Sequence, residues 1–279
     1  MRILRVANID IDLHWTFILL FSFVLLAGGF DAFALIVAIF GSVVLHELSH
    51  SIVAKMHGIR VKRIVLLPIG GMALIEDFAM PPSTELKVAI AGPAFSFALA
   101  FASLVALFAI SNFPVLEPMA EIVSVLFQAN ILIGVFNLLP ALPLDGGRVW
   151  RALRQRHKDY LSATRDAVSL SKFVVAILFM GSMAAALLIS AWGFLIWNTI
   201  IALFIYVGSN MEMDAAIFKT SSDGLFVRDV MRKKPATISS GKTLREGFIH
   251  ALASRSTSLI LIGKGSLPSV IHLGQIERI

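Results

Sequence analysis

The chain has 279 residues, 57% of them hydrophobic and only 15% charged, with a mean hydropathy of +0.84; this excludes a single soluble globule and points to a membrane protein. It contains no cysteine, which excludes a disulfide framework and a thiolate metal centre, so any metal must be held by His and carboxylate groups. The net charge of +6 comes from Lys and Arg blocks separated by long uncharged stretches, a membrane-topology pattern, and no nucleic-acid partner is expected.

Arg2 and Arg5 open the chain, and no small-residue cleavage pattern follows the first apolar stretch, which is therefore expected to remain as a span. Apolar runs long enough to cross a bilayer as helices lie at roughly 13–29, 33–55, 86–111, 119–139, 173–190 and 192–210, which predicts about six spans. Lys and Arg are absent from residues 6–54, 88–147 and 173–218 and cluster at Lys55 to Arg63, at Arg148 to Lys172 and after Lys219. With both termini cytoplasmic, every basic cluster falls inside, as the positive-inside rule requires. The predicted topology is thus that of a multi-pass integral membrane protein with both termini cytoplasmic.

Residues 58–75, GIRVKRIVLLPIGGMALI, are rich in Val and Ile and broken by Pro68 and Gly70–Gly71. They read as a short β-hairpin or re-entrant strand pair rather than a helix, with an ordinary cytoplasmic loop as the alternative. Such backbone sits at membrane depth only where protein or a watery cavity satisfies it, so it should border a polar site. From about residue 222 the composition turns polar, and TLREGFIHALASRSTSLILI predicts an amphipathic helix running into a strand. The predicted architecture is therefore a polytopic α-helical membrane domain, 1–218, with a short membrane-associated β element, followed by a small α/β domain, 219–279.

Residues 46–50 read H-E-L-S-H within the second apolar run. The i, i+4 spacing puts His46 and His50 on one helix face with Glu47 beside them, so two imidazoles can hold one metal and a carboxylate stands ready to take a proton from water. A chance pair of core histidines is the bland alternative, and it fits poorly because ionisable groups within a span are expensive. A catalytic zinc takes three protein ligands. The best third candidate is Asp145 in N-L-L-P-A-L-P-L-D-G-G-R, 137–148, where Pro140 and Pro143 prevent regular helix and Gly146 and Gly147 permit a tight turn. Taken alone, Asp145 reads more simply as an interfacial acid capping the next helix. Topology favours the ligand reading, because the orientation above puts it and H-E-L-S-H at the cytoplasmic ends of their spans.

These segments together resemble the site-2 proteases, and in particular their microbial branch with a C-terminal CBS (cystathionine β-synthase-like) module. The resemblance rests on H-E-L-S-H at 46–50, L-L-P-I-G-G at 66–71, A-G-P at 91–93, and Asn130 followed by F-N-L-L-P-A-L-P-L-D-G-G-R at 136–148. It implies that His46, His50 and Asp145 bind Zn²⁺, that Glu47 is the catalytic base and that Asn130 contacts substrate or oxyanion; an interhelical hydrogen bond is an equal alternative for Asn130. Ser49 stands where the family has Gly. His14 is expected to make a structural hydrogen bond and His57 to be an ordinary interfacial residue.

The tail segments F-V-R-D-V-M at 226–231 and V-I-H-L-G-Q-I-E-R-I at 270–279 resemble one copy of a CBS motif. These modules work in pairs that often bind adenine nucleotides, which implies a homodimer through the tail or a second copy beyond this sequence. A small folding domain with no ligand is the alternative. The implied activity is intramembrane zinc endopeptidase, cutting single-span membrane proteins. The competing classes are a membrane metal transporter or sensor, for which Glu47 is not needed, and an inactive homologue that only binds membrane helices.

Overall fold

A computed structural model describes residues 2–67, 70–75, 80–226, 229, 236–254, 256, 258–262 and 269–272. The chain divides into two compact units, Met1–Ser221 and Ser222–Ile279, three residues from the predicted boundary.

The first unit opens with a hairpin that the sequence reading did not include. Strands β1 (Arg2–Val6) and β2 (Ile9–Leu13) pair antiparallel around Ala7 and Asn8, both at positive φ, the geometry of a two-residue hairpin turn. Helix α1 (Thr16–Met56) then carries the chain to β3 (Val61–Leu67), which pairs parallel to β2 and antiparallel to β4 (Gly70–Ile75). The expected strand pair at 58–75 is therefore present, inside a four-stranded sheet of order β1-β2-β3-β4. Pro68 and Ile69, which join its strands, lie outside the described residues. Buried Ile9, Ile11, Ile64 and Leu66 fasten the sheet to Phe17 and Leu48 of α1.

The predicted spans 13–29 and 33–55 are both helical and join within one element, α1, so that among the described residues five helices, against about six predicted spans, are long and apolar enough to cross a membrane. The reason is local. No loop separates the two runs, and only Gly29, at φ 73° and ψ −169°, departs from helical geometry. The departure is large enough to reverse the chain. In a straight helix Phe17 and Phe40 would stand roughly 35 Å apart, whereas their rings meet edge-on with centroids at 4.6 Å.

Helix α2 (Pro82–Ser111) packs against α1, against α3 (Ala120–Asn137) and against the short α4 (Asp145–Arg154). Pro140 and Pro143 interrupt helix between α3 and α4, as expected. Gly146 and Gly147, however, lie within the first turn of α4 and serve close packing rather than a turn. A Cβ on Gly146 would lie 2.2 Å from the Leu138 carbonyl oxygen, and one on Gly147 would lie 2.3 Å from the Leu142 nitrogen. Helices α5 (Tyr160–Ile189) and α6 (Trp192–Ser222) complete the unit. Asp159 caps α5 by accepting from the Ser162 N–H, Ser171 of α5 accepts from the Leu142 N–H at 2.7 Å, and Gly208 of α6 lets Pro143 approach. Large apolar side chains such as Leu26, Phe30, Phe108 and Leu188 point outward, where lipid covers them at no cost.

In the second unit β5 (Thr237–Ser239) pairs parallel to β6 (Ser258–Ile262), with helix α7 (Leu244–Ala253) crossing between them, and β7 (Ser269–His272) pairs antiparallel to β6. The predicted helix and strand are both present. Thr243 and Glu246 close a reciprocal capping box at the start of α7. Most of the two segments on which the CBS resemblance rests, within 226–231 and 270–279, lies outside the described residues.

Candidate active site

His46 and His50, one turn apart on α1, bring their Nε2 atoms to 3.2 Å of one another. Asp145 Oδ2 completes the triangle at 3.2 Å from His46 and 3.1 Å from His50. All three residues are buried. Asp145 does not serve as the cap of α4, because Leu144 occupies that position; its carboxylate turns toward the histidines instead.

The outer ring nitrogens determine what meets at the centre. His50 Nδ1 donates to the Val88 carbonyl oxygen at 2.6 Å, and His46 Nδ1 lies 2.9 Å from Ser96 Oγ. A neutral imidazole whose proton is held on Nδ1 presents its Nε2 lone pair. Two such lone pairs and a carboxylate oxygen then converge on one point, an arrangement that repels itself unless a cation sits there. Ligands at about 2.0 Å in a tetrahedral shell stand about 3.3 Å from each other, close to the edges of this triangle. The donor set, two imidazoles and one carboxylate, fits zinc with a place left for water.

Both Val88 and Ser96 belong to α2, and so does Gly92 between them. A Cβ on Gly92 would fall 2.2 Å from His50 Nε2 and 2.6 Å from His46 Nε2, so only glycine leaves room for the triangle. Glu47 lies beside the histidines on α1. It packs against β4, where a Cβ on Gly71 would come within 2.5 Å of Glu47 Cγ. The strand pair thus borders the polar site as expected.

Asn130 is fully buried and donates through Nδ2 to Ser42 Oγ at 2.9 Å, one turn before His46 on α1, and to the Leu126 carbonyl oxygen at 2.8 Å. The interhelical bond is therefore present. Ser49, in the position of the expected Gly, donates to the His46 carbonyl oxygen at 2.6 Å and so satisfies its hydroxyl within α1. His14 stays out of the centre and bonds Thr16 Oγ1 at 2.8 Å. His57 is exposed, bonding the Val53 carbonyl oxygen.

Sequence reasoning did not find the roles of Gly92, Ser96 and the Val88 carbonyl. Nor did it find an ionic cluster beside the site, in which Arg151 of α4 donates to Glu85 of α2 at 2.6 and 2.8 Å and to Glu212 of α6 at 2.8 Å.

The model of peptidase family M50 matches residues 34–123 and 115–181. A zinc metalloprotease of Methanocaldococcus jannaschii is 30% identical, over 99% of this chain and 79% of its own length. The protein Rip3 of Mycobacterium tuberculosis is 31% identical, over 99% of this chain and 75% of its own. Among solved structures, the site-2 protease from Methanocaldococcus jannaschii superposes with a TM-score of 0.55 at 32% identity, covering 76% of this chain and 94% of that one. The chain therefore belongs to peptidase family M50, the site-2 proteases, and is a multi-pass integral membrane protein and an intramembrane zinc metalloprotease.

Proposed function

We propose that His46, His50 and Asp145 are the zinc ligands, that Glu47 is the general base, and that the enzyme cuts single-span membrane proteins near the cytoplasmic ends of their spans. The observation that carries this reading is the convergence of three buried ligand atoms, all within 4.8 Å of one another. A zinc ion held there supplies Lewis acidity, polarising the scissile carbonyl and making water a competent nucleophile near neutral pH. Glu47 accepts a proton from the attacking water and returns it to the leaving amine nitrogen. The Val88 carbonyl keeps His50 in the ligating tautomer, and the Ser96 hydroxyl is placed to accept from His46 Nδ1 and hold that ring the same way. Asn130 Oδ1, which is buried and has no hydrogen-bond partner among the described residues, leaves an acceptor for a substrate amide.

A helical substrate must unwind before its carbonyl can be attacked. Strand β4 lies at one edge of the sheet and beside Glu47, which supports capture of the unwound segment by strand addition. The reversal at Gly29 supports two crossings by α1, six in all. The basic clusters support cytoplasmic termini.

The tail is proposed to be half of a CBS-like pair, completed by a second copy of the chain, with an adenine nucleotide as its ligand. Leu244, Ile249 and Leu252 of α7 are each more than half exposed, an apolar surface that isologous pairing would cover.

The test uses purified, zinc-loaded full-length chain in lipid nanodiscs with a tethered single-span substrate. The wild type is expected to cut within the span and Glu47→Gln to leave it intact. Cleavage outside the span, or wild-type turnover by Glu47→Gln, removes the proposed roles.

A further inference from the structure

One face of α2 meets both histidines and the helix that carries Asp145. Glu85, Val88, Gly92 and Ser96 follow one another at helical spacing. Ser96 meets His46, Val88 meets His50, Gly92 makes room for both rings, and Glu85 holds Arg151 of α4. The third ligand, Asp145, has no such direct support from α2; its helix has.

Helix α4 is only ten residues long, and its first turn after Asp145, Gly146–Gly147, packs closely on the Leu138 and Leu142 backbone but carries no side chain that reaches α2 or α6. Farther along, the Arg151 guanidinium is clamped from both sides. Nε and Nη2 donate to Glu85 Oε1 at 2.8 and 2.6 Å, and Nη1 donates to Glu212 Oε2 at 2.8 Å. Gln155 donates to the other Glu85 oxygen at 2.8 Å, and Arg148 donates to Glu212 at 3.3 Å. Arg151 and Glu85 are buried. A buried ion pair of this kind brings little net stability over an apolar pair of equal volume, but its planar fork fixes geometry. Turning a short helix by a fraction of its circumference would carry Asp145 Oδ2 out of the triangle.

We propose that Glu85, Arg151 and Glu212 are positioning residues for the metal centre, a strut from α2 and α6 that sets the rotation of α4 and thereby holds Asp145 at the two imidazoles. This rests on His46, His50 and Asp145 being the zinc ligands.

The test measures zinc affinity by chelator competition on the full-length protein in detergent, and the visible spectrum of the Co²⁺-substituted form, which reports ligand geometry. Glu85→Leu/Arg151→Met removes both charges and leaves Arg148 paired with Glu212. Zinc affinity is expected to fall about 10- to 100-fold, the usual cost of losing outer support at a metal site, with an altered Co²⁺ spectrum and a metal-free melting temperature close to wild type. Wild-type affinity and spectrum overturn the proposal, whatever the melting temperature does. If the double variant does not fold, Arg151→Lys, which keeps the charge but loses the fork, decides by the same two readouts. His46→Ala is run beside them. Wild-type zinc affinity in that variant overturns the ligand assignment itself, whereas loss there with full retention in the strut variants overturns the strut alone.

Discussion

Gly92 of α2 lies against His50 of α1 so closely that a methyl group on it would fall 2.2 Å from the ring's Nε2. The ring that would have to move is the one held by the Val88 carbonyl oxygen at 2.6 Å. Gly92→Ala is therefore expected to lose at least about tenfold in zinc affinity, by displacing a ligand whose outer hydrogen bond holds it in place. Zinc retained after dialysis at the wild-type level would show that α2 yields to the methyl group.

Removing a ligand should act more simply. The purified protein is expected to carry about one zinc per chain, and His46→Ala or Asp145→Ala to carry far less, because two remaining ligands do not make a catalytic zinc site. Metal analysis of the three proteins in parallel is sufficient, and full occupancy in both variants would exclude these residues as ligands.

Glu47→Gln separates chemistry from binding. The amide preserves shape and packing against Gly71 but cannot accept the proton from water, so zinc content should match wild type while turnover falls by about 10²- to 10⁴-fold. A variant that cleaves normally would mean that another base operates.

How far this centre is legible in the chain depends on how each residue reaches it. His46, Glu47 and His50 are neighbours on one helix, so their spacing alone brings them together. Asp145 comes from another helix, and only its depth in the membrane links it to the others in sequence. Gly92 and Ser96 lie in an apolar run where small residues are unremarkable, and nothing local distinguishes a glycine that faces a metal site from one that faces lipid. Glu85 and Arg151 lie on helices with α3 between them in the chain and look like interfacial charges until the fold buries them together. The β1–β2 hairpin had a usable signal, the alternation I-D-I-D-L after Ala7–Asn8, masked by the apolar run that follows it. The break between the two runs of α1 is marked in the sequence by Gly28, Gly29 and Asp31, and Gly29 reverses the chain there without a loop.

The absence of cysteine makes topology directly measurable. Single cysteines at Asp31, Ser111 and Ser190 are expected to react with a membrane-impermeant maleimide from outside intact cells, and one at His157 only after lysis. The Asp31 position is the informative one, because external labelling there requires that α1 cross twice. Protection at Asp31 with labelling at Ser111 would leave α1 as a buried hairpin and reduce the crossings.

The last expectation concerns the tail, where α7 exposes Leu244, Ile249 and Leu252 and the proposed CBS-like copy would need a partner. An apolar surface left open on a small domain is covered most economically by its own copy, because an isologous contact uses the same patch twice. The full chain should therefore cross-link as a dimer in membranes and in mild detergent, and a chain ending at Ser221 should not. Leu244→Asp/Leu252→Asp should weaken the dimer in the same direction by placing charges where the patches meet, while leaving the capping box of Thr243 and Glu246 intact. An adenine nucleotide bound between two tails should strengthen the cross-link and raise the melting temperature of the full chain but not of the shortened one. A full chain that remains monomeric while it cleaves substrate normally would end the case for paired tails, and regulation through a shared nucleotide would fall with it.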